Sequence, residues 1–103
     1  MTLCPKHPRI EDKAYLKHVS ELPCIECHTL GAVAPHHLLK FPGEYRGTGR
    51  KLGDNRTIPM CNDHHRALHD VGSEIKYFGK MGALYAIDMS IKLWKDWEDN
   101  GNI

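Results

Sequence analysis

Two short-spaced pairs of soft ligands, Cys24-x2-Cys27 and Cys61-x2-His64, constrain this chain more than any other feature. A two-residue spacer lets each pair turn back on one ion, and three thiolates with one imidazole close a tetrahedral zinc shell. Thirty-three residues separate Cys27 from Cys61, whereas a compact zinc finger has fewer than about twenty there. Zinc held by these four residues would therefore staple the two ends of an inserted substructure. A redox reading of Cys24-Ile25-Glu26-Cys27 lacks the β-α-β pattern that such chemistry comes with. Cys4 and His7 form a competing pair inside a proline-containing arm.

The insert carries its own chemistry. Of eight histidines, five lie between positions 36 and 69. His65 and His69 are four apart on a predicted helix, so they share one face and can grip one metal ion. His36 and His37 are adjacent on a predicted strand and point to opposite sides of it. They should do different work: one can bind the ion while the other acts on a water beside it.

The rest of the chain is read around these ligands. Its 103 residues make one domain, and 41% hydrophobic with 26% charged residues is not a disordered composition. Residues 1–10 are expected to be an arm and 11–103 a single domain. No apolar run approaches the roughly 20 residues of a membrane-spanning helix. The first residues show no apolar stretch of a secretory signal, so the expected compartment is the cytoplasm.

Tyr15, Val19 and Leu22 step by four and three, which predicts a helix over 11–22 ended by Pro23. A strand is expected over 32–39, a long Gly-rich loop over 41–56, and a short strand from Thr57 to Met60, at an edge because of Pro59. Residues 62–71 read as a helix capped by Asn62 or Asp63 and stopped by Gly72, and Ser73 can cap a short helix through Phe78. Residues 83–97 carry the stripe Leu84, Ile87, Ile91 and Trp94, extended by Trp97. The fold class expected is α+β, with the first and last helices packed over a central hairpin.

Net charge is +1, but the stretch 39–56 holds Lys40, Arg46, Arg50, Lys51 and Arg56 against Glu44 and Asp54. That bias is compatible with phosphate contact, although a solvated loop would carry the same residues.

The order C-x-x-C, P-H-H, a basic Gly-rich loop, D-N and C-x-x-H-H-x3-H resembles the HNH endonucleases, the ββα-metal or His-Me finger nucleases. Leu22-Pro23-Cys24-Ile25-Glu26-Cys27, Gly47-Thr48-Gly49-Arg50-Lys51, Thr57-Ile58-Pro59-Met60-Cys61-Asn62-Asp63-His64-His65 and Leu93-Trp94 are similar to small phage and prophage members linked with recombination. The resemblance covers roughly residues 12–97. It implies a small ββα-metal core with a zinc knuckle, flanked by N- and C-terminal helices, that hydrolyses DNA phosphodiester bonds.

By the same resemblance His37 matches the general base, and His36, His65 and His69 match the ligands of a catalytic divalent ion. Cys24, Cys27, Cys61 and His64 match the structural zinc knuckle. Asn55, or Asp54 in its place, matches the residue that pins the loop and orients the base. Arg46, Arg50, Lys51 and Arg56 would hold the DNA backbone. The cofactors implied are structural Zn²⁺ and a catalytic Mg²⁺, Mn²⁺, Ni²⁺ or Zn²⁺. The competing reading is a catalytically silent zinc module that binds DNA or a recombination protein, with Trp94 or Trp97 serving the partner.

Overall fold

A computed structural model describes residues 9–44 and 51–100, and shows a small α+β structure. Two strands, β1 (Val33–His37) and β2 (Thr57–Cys61), pair antiparallel in the register Val33↔Cys61 to His37↔Thr57. Leu38 N donates to Arg56 O at 2.9 Å and Asn62 N to Ala32 O at 3.0 Å, both in this register. Directly opposed residues alternate between bonded and non-bonded pairs. Pro35 and Pro59 therefore face each other at a non-bonded pair, where neither has to donate to the ladder. His36, opposite Ile58, falls at a bonded pair, so its backbone N–H and C=O both face β2.

Three helices among the described residues surround this ribbon: α1 (Lys13–Ser20), α2 (Asn62–Val71) and α3 (Glu74–Asp99). Asp12 caps α1 by accepting from Tyr15 N at 3.0 Å. Gly72 ends α2 at φ 83, a left-handed conformation that costs glycine nothing. Ser73 caps α3 through Lys76 N, as its position predicts. Gly79, at φ 83 and ψ 167, breaks that helix after its first turns, so the short helix through Phe78 and the long C-terminal one are separate rods.

Ile58 and Met60 share one face of the ribbon with His36 and Leu38, and this face packs with Leu68 of α2 and Ala86 of α3. α1 lies against both strands, burying Tyr15 and Val19. Trp94 meets the Tyr15 ring edge-on at 4.9 Å, and Trp97 Nε1 donates to Asp12 at 3.2 Å. These two tryptophans thus tie the C-terminal helix back onto α1.

Two expectations are corrected. Neither Asn62 nor Asp63 caps α2; the cap position is Cys61, which makes no side-chain cap bond and instead sets its sulfur 3.2 Å from His64 Nδ1. The buried face of α3 is Ala83, Ala86 and Ser90, while Leu84 and Ile91 of the expected stripe are exposed. The second half of the Gly-rich loop is interior: Leu52, Gly53, Asp54 and Asn55 are buried. Gly53 packs closely there: a Cβ would meet Asn55 Oδ1 at 2.5 Å and Ile10 N at 3.3 Å, so both would have to give way. No helix among the described residues is long and apolar enough to cross a membrane.

Candidate metal centres

The Cys24–Cys27 turn is fixed from two directions. Cys24 N donates to Thr29 O at 3.0 Å, and Ile25 N donates to Pro59 O of β2 at 2.8 Å. That second bond brings the turn to the end of β2, where Cys61 and the first turn of α2 supply the other pair. Cys27 Sγ lies 3.8 Å from Cys61 Sγ, and His64 Nδ1 lies 3.2 Å from Cys61 Sγ and 3.7 Å from Cys24 Sγ. A tetrahedral zinc with its usual bond lengths sets sulfur–sulfur edges of about 3.8 Å and sulfur–nitrogen edges of about 3.5 Å. The four residues could hold such an ion. Glu26 Oε2, 3.5 Å from His64 Nε2, stands behind the ring on its other nitrogen.

The electrostatics of the cluster suit a cation. Burial raises the Cys24 thiol, but backbone N–H groups of Cys27, Cys61 and Glu26 and the His64 ring outweigh it and bring it down to about 6. Cys61 receives the His64 backbone N–H, which lowers it, yet burial and the two neighbouring thiols push it up overall. Cys27 is lowered as well, chiefly by its hydrogen bonds to Thr29, so two thiolates are favoured and a third at Cys61 is opposed, which is the situation a bound ion relieves.

The second group is His36, His65 and His69, whose ring nitrogens also lie within metal-sharing distance. His36 comes from β1, and the other two from one face of α2. His65 Nε2 and His69 Nε2 are 3.0 Å apart. Two nitrogens bound about 2.1 Å from one ion at a right angle would be separated by about 3.0 Å. His36 is fully buried, whereas His69 is exposed, so the group opens to solvent on one side. Burial, and then the neighbouring His36 and His69 rings, bring His65 down to about 4, so it is neutral and able to ligate at pH 7. His36 Nε2 bonds Glu74 Oε2 at 3.0 Å, and His36 Nδ1 is buried without a partner among the described residues.

His37 points the other way, as strand alternation requires. Its Nε2 bonds Asp54 Oδ1 at 2.8 Å. Asp54, 3% exposed, also accepts from Asp12 N at 2.8 Å and Arg9 Nη2 at 3.4 Å. Burial holds the His37 pKa below its ordinary value, against the opposing pull of Asp54. Lys51 lies within electrostatic range of both His37 and His65.

Of the two candidates for the middle position, Asp54 is the one whose side chain touches His37. The Asp54 backbone N donates to Ile10 O at 2.8 Å, and its carboxylate is shared by Asp12 N, Arg9 and His37. Arg56 donates to Glu44 Oε2 at 2.7 Å and stacks 3.9 Å over the Phe41 ring, so its guanidinium is engaged within the fold. Lys51 is exposed. Arg46, Arg50, Cys4 and His7 lie outside the described residues. Neither Glu74 nor Glu26 is marked by the sequence as part of a site; Glu26 sits inside the C-x-x-C turn, which could have pointed to it, whereas Glu74 has no short-range signal.

The family model described as "Protein of unknown function (DUF968)" matches residues 1–92. The chain belongs to the DUF968 family. Among curated proteins, this DUF968 chain is 34% identical over 83 residues to the uncharacterized protein YdfU of Escherichia coli (strain K12). The match takes in 79% of the DUF968 chain and 23% of YdfU, so the chain spans about a quarter of that relative's length. No solved structure matches the chain.

Asp54→Ala is expected to destabilise this DUF968 chain by about 1–3 kcal/mol, because Asp12 N, Arg9 and His37 lose a buried acceptor together. Chemical denaturation measures it. Asn55→Ala leaves those three bonds standing, and a stability unchanged by Asp54→Ala would contradict this role of the loop.

Proposed function

We propose that this chain is a metal-dependent DNA endonuclease of the HNH type, acting in phage or prophage recombination or DNA processing. In this reading β1, β2 and α2 form the ββα-metal core. Cys24, Cys27, Cys61 and His64 are its zinc knuckle, and His36, His65 and His69 hold the catalytic ion. The observation that carries the reading is a single strand that gives His36 to the three-histidine group and His37 to a buried carboxylate.

An ion bound by His36, His65 and His69 would supply positive charge beside the scissile phosphate and the departing 3′ oxygen. The protein's own groups do the rest. Asp54 accepts the His37 Nε2–H and leaves Nδ1 as the basic nitrogen. Burial favours the unprotonated ring, so this nitrogen takes a proton from the attacking water, while the water oxygen bonds to phosphorus, the P–O3′ bond breaks and the 3′ oxygen leaves with the bonding pair and takes a proton from solvent. Lys51 offers a phosphate contact that carries no sequence information. Plasmid nicking with and without divalent metal tests the reading.

Lys51→Ala should weaken DNA binding alike for all sequences. It should also flatten the slope of log K against log salt by about 0.9 on duplex DNA for each phosphate that the variant no longer neutralises. Arg56→Ala should act instead on the fold, through the Glu44 pair and the Phe41 stack. A salt slope unmoved by Lys51→Ala would place the DNA surface elsewhere.

A further inference from the structure

Glu74 belongs to no motif of the chain, yet one of its oxygens makes two long-range bonds. Oε2 accepts from Leu39 N at 2.8 Å and bonds His36 Nε2 at 3.0 Å, and the residue is 7% exposed. The two partners bracket the end of β1, and Glu74 itself is set by the Ser73 cap at the start of α3. The carboxylate therefore reaches the three-histidine group from an element that supplies no ligand to it.

Imidazole has two nitrogens, and each offers a single in-plane direction. His36 Nε2 spends its direction on Glu74. An ion about 2.1 Å from Nε2 along that line would fall within about 1 Å of the carboxylate oxygen, which is impossible. The remaining nitrogen, Nδ1, is buried and without a partner among the described residues.

We infer that Glu74 is a positioning residue for this group: it holds the His36 ring in its Nε2–H form and so leaves the Nδ1 lone pair as the one His36 gives to an ion. The inference rests on the reading of His36, His65 and His69 as a metal site. It adds a fixed tautomer, a named ligand atom and a link through α3, so that the three-histidine group depends on how the start of that helix seats against β1. A carboxylate behind a ligating histidine orients the ring and raises its basicity, and loss of such a partner typically costs 10–100-fold in metal affinity.

The test uses the full chain in divalent-free buffer, with ¹⁵N imidazole spectra of His36 and calorimetric titration with nickel. The wild-type ring is expected as Nε2–H before nickel is added. Glu74→Ala should mix the two tautomers and weaken nickel binding by about 10–100-fold. Glu74→Gln keeps one oxygen in the same place, able to accept both bonds, so it should hold the Nε2–H form and bind nickel within a few-fold of wild type. That rescue separates positioning from mere packing. A wild-type ring found as Nδ1–H overturns the inference without any variant, so a misfolded Glu74→Ala cannot shelter it. Wild-type nickel binding matched by a folded Glu74→Ala overturns the role of Glu74 and leaves the metal site standing. A wild-type chain whose three histidines take no nickel overturns the metal reading, and the ligand role of Nδ1 with it.

Discussion

Cys27→Ala and Cys61→Ala are each expected to leave a chain that does not fold. Structural zinc contributes on the order of 10–16 kcal/mol to folding at pH 7, and a whole domain is stable by only about 5–15. The packing around the site agrees with that weight. Cys24 is fully buried and Cys61 is 7% exposed, at the junction where β2 becomes α2. The turn that carries Cys24 and Cys27 is held to β2 through a single backbone bond, Ile25 N to Pro59 O. Either substitution takes one sulfur from the place where the hairpin, α2 and the turn converge, and leaves buried Cys24 beside the remaining thiol with no ion to hold them together. Elemental analysis of dialysed wild-type protein should find one tightly held zinc per chain, and circular dichroism should show the variants unfolded. A folded, soluble wild-type chain without zinc would end this part of the account.

His37→Ala is expected to cost at least about a hundredfold in cleavage while fold, zinc and DNA affinity stay nearly intact. A positioned general base contributes 10²–10⁴-fold. The fold tolerates the change because Asp54 keeps Arg9 and Asp12 N as partners, and His37 stands outside the main apolar core. Truncating His36, His65 or His69 has a different signature. Those variants should lose metal affinity, and raised metal concentration should restore part of their activity. Excess metal has nothing to restore in His37→Ala, whereas free imidazole can enter the space left behind. The contrast follows from strand alternation, which sends adjacent rings to different neighbours. His36→Ala dead at every metal concentration, beside a normal His37→Ala, would mean the two roles are exchanged.

What the sequence makes legible is local. Ligand spacings of two and three residues survive any tertiary arrangement, so the groups around Cys24 and around His65 are visible before folding. Helix punctuation is local too, and Gly72 and Ser73 act where they stand in the chain. The parts that need the structure depend on distant partners. Asp54 is the one that meets His37, and the groups that hold it, Arg9, Ile10 O and Asp12 N, lie more than forty positions away. Arg56 looks free for phosphate in the sequence because nothing near it announces Glu44 and Phe41 as its partners. The stripe on α3 misleads for a related reason. Small residues, Ala83, Ala86 and Ser90, permit close approach to the ribbon, so the helix buries them and turns Leu84 and Ile91 outward. Glu74 lies thirty-eight positions beyond His36, and no spacing rule connects them.

The most direct test of metal-dependent hydrolysis through His37 is the initial rate of supercoiled-plasmid nicking, measured against divalent metal concentration for wild type, His37→Ala and His65→Ala. Wild type should cleave only when a divalent ion is present. His65→Ala should recover in part as metal rises, and His37→Ala should show a loss of at least about a hundredfold that metal does not repair. Wild-type protein that stays inert with magnesium, manganese, nickel and zinc alike, or a His37→Ala variant that cuts at the wild-type rate, would contradict hydrolysis through His37.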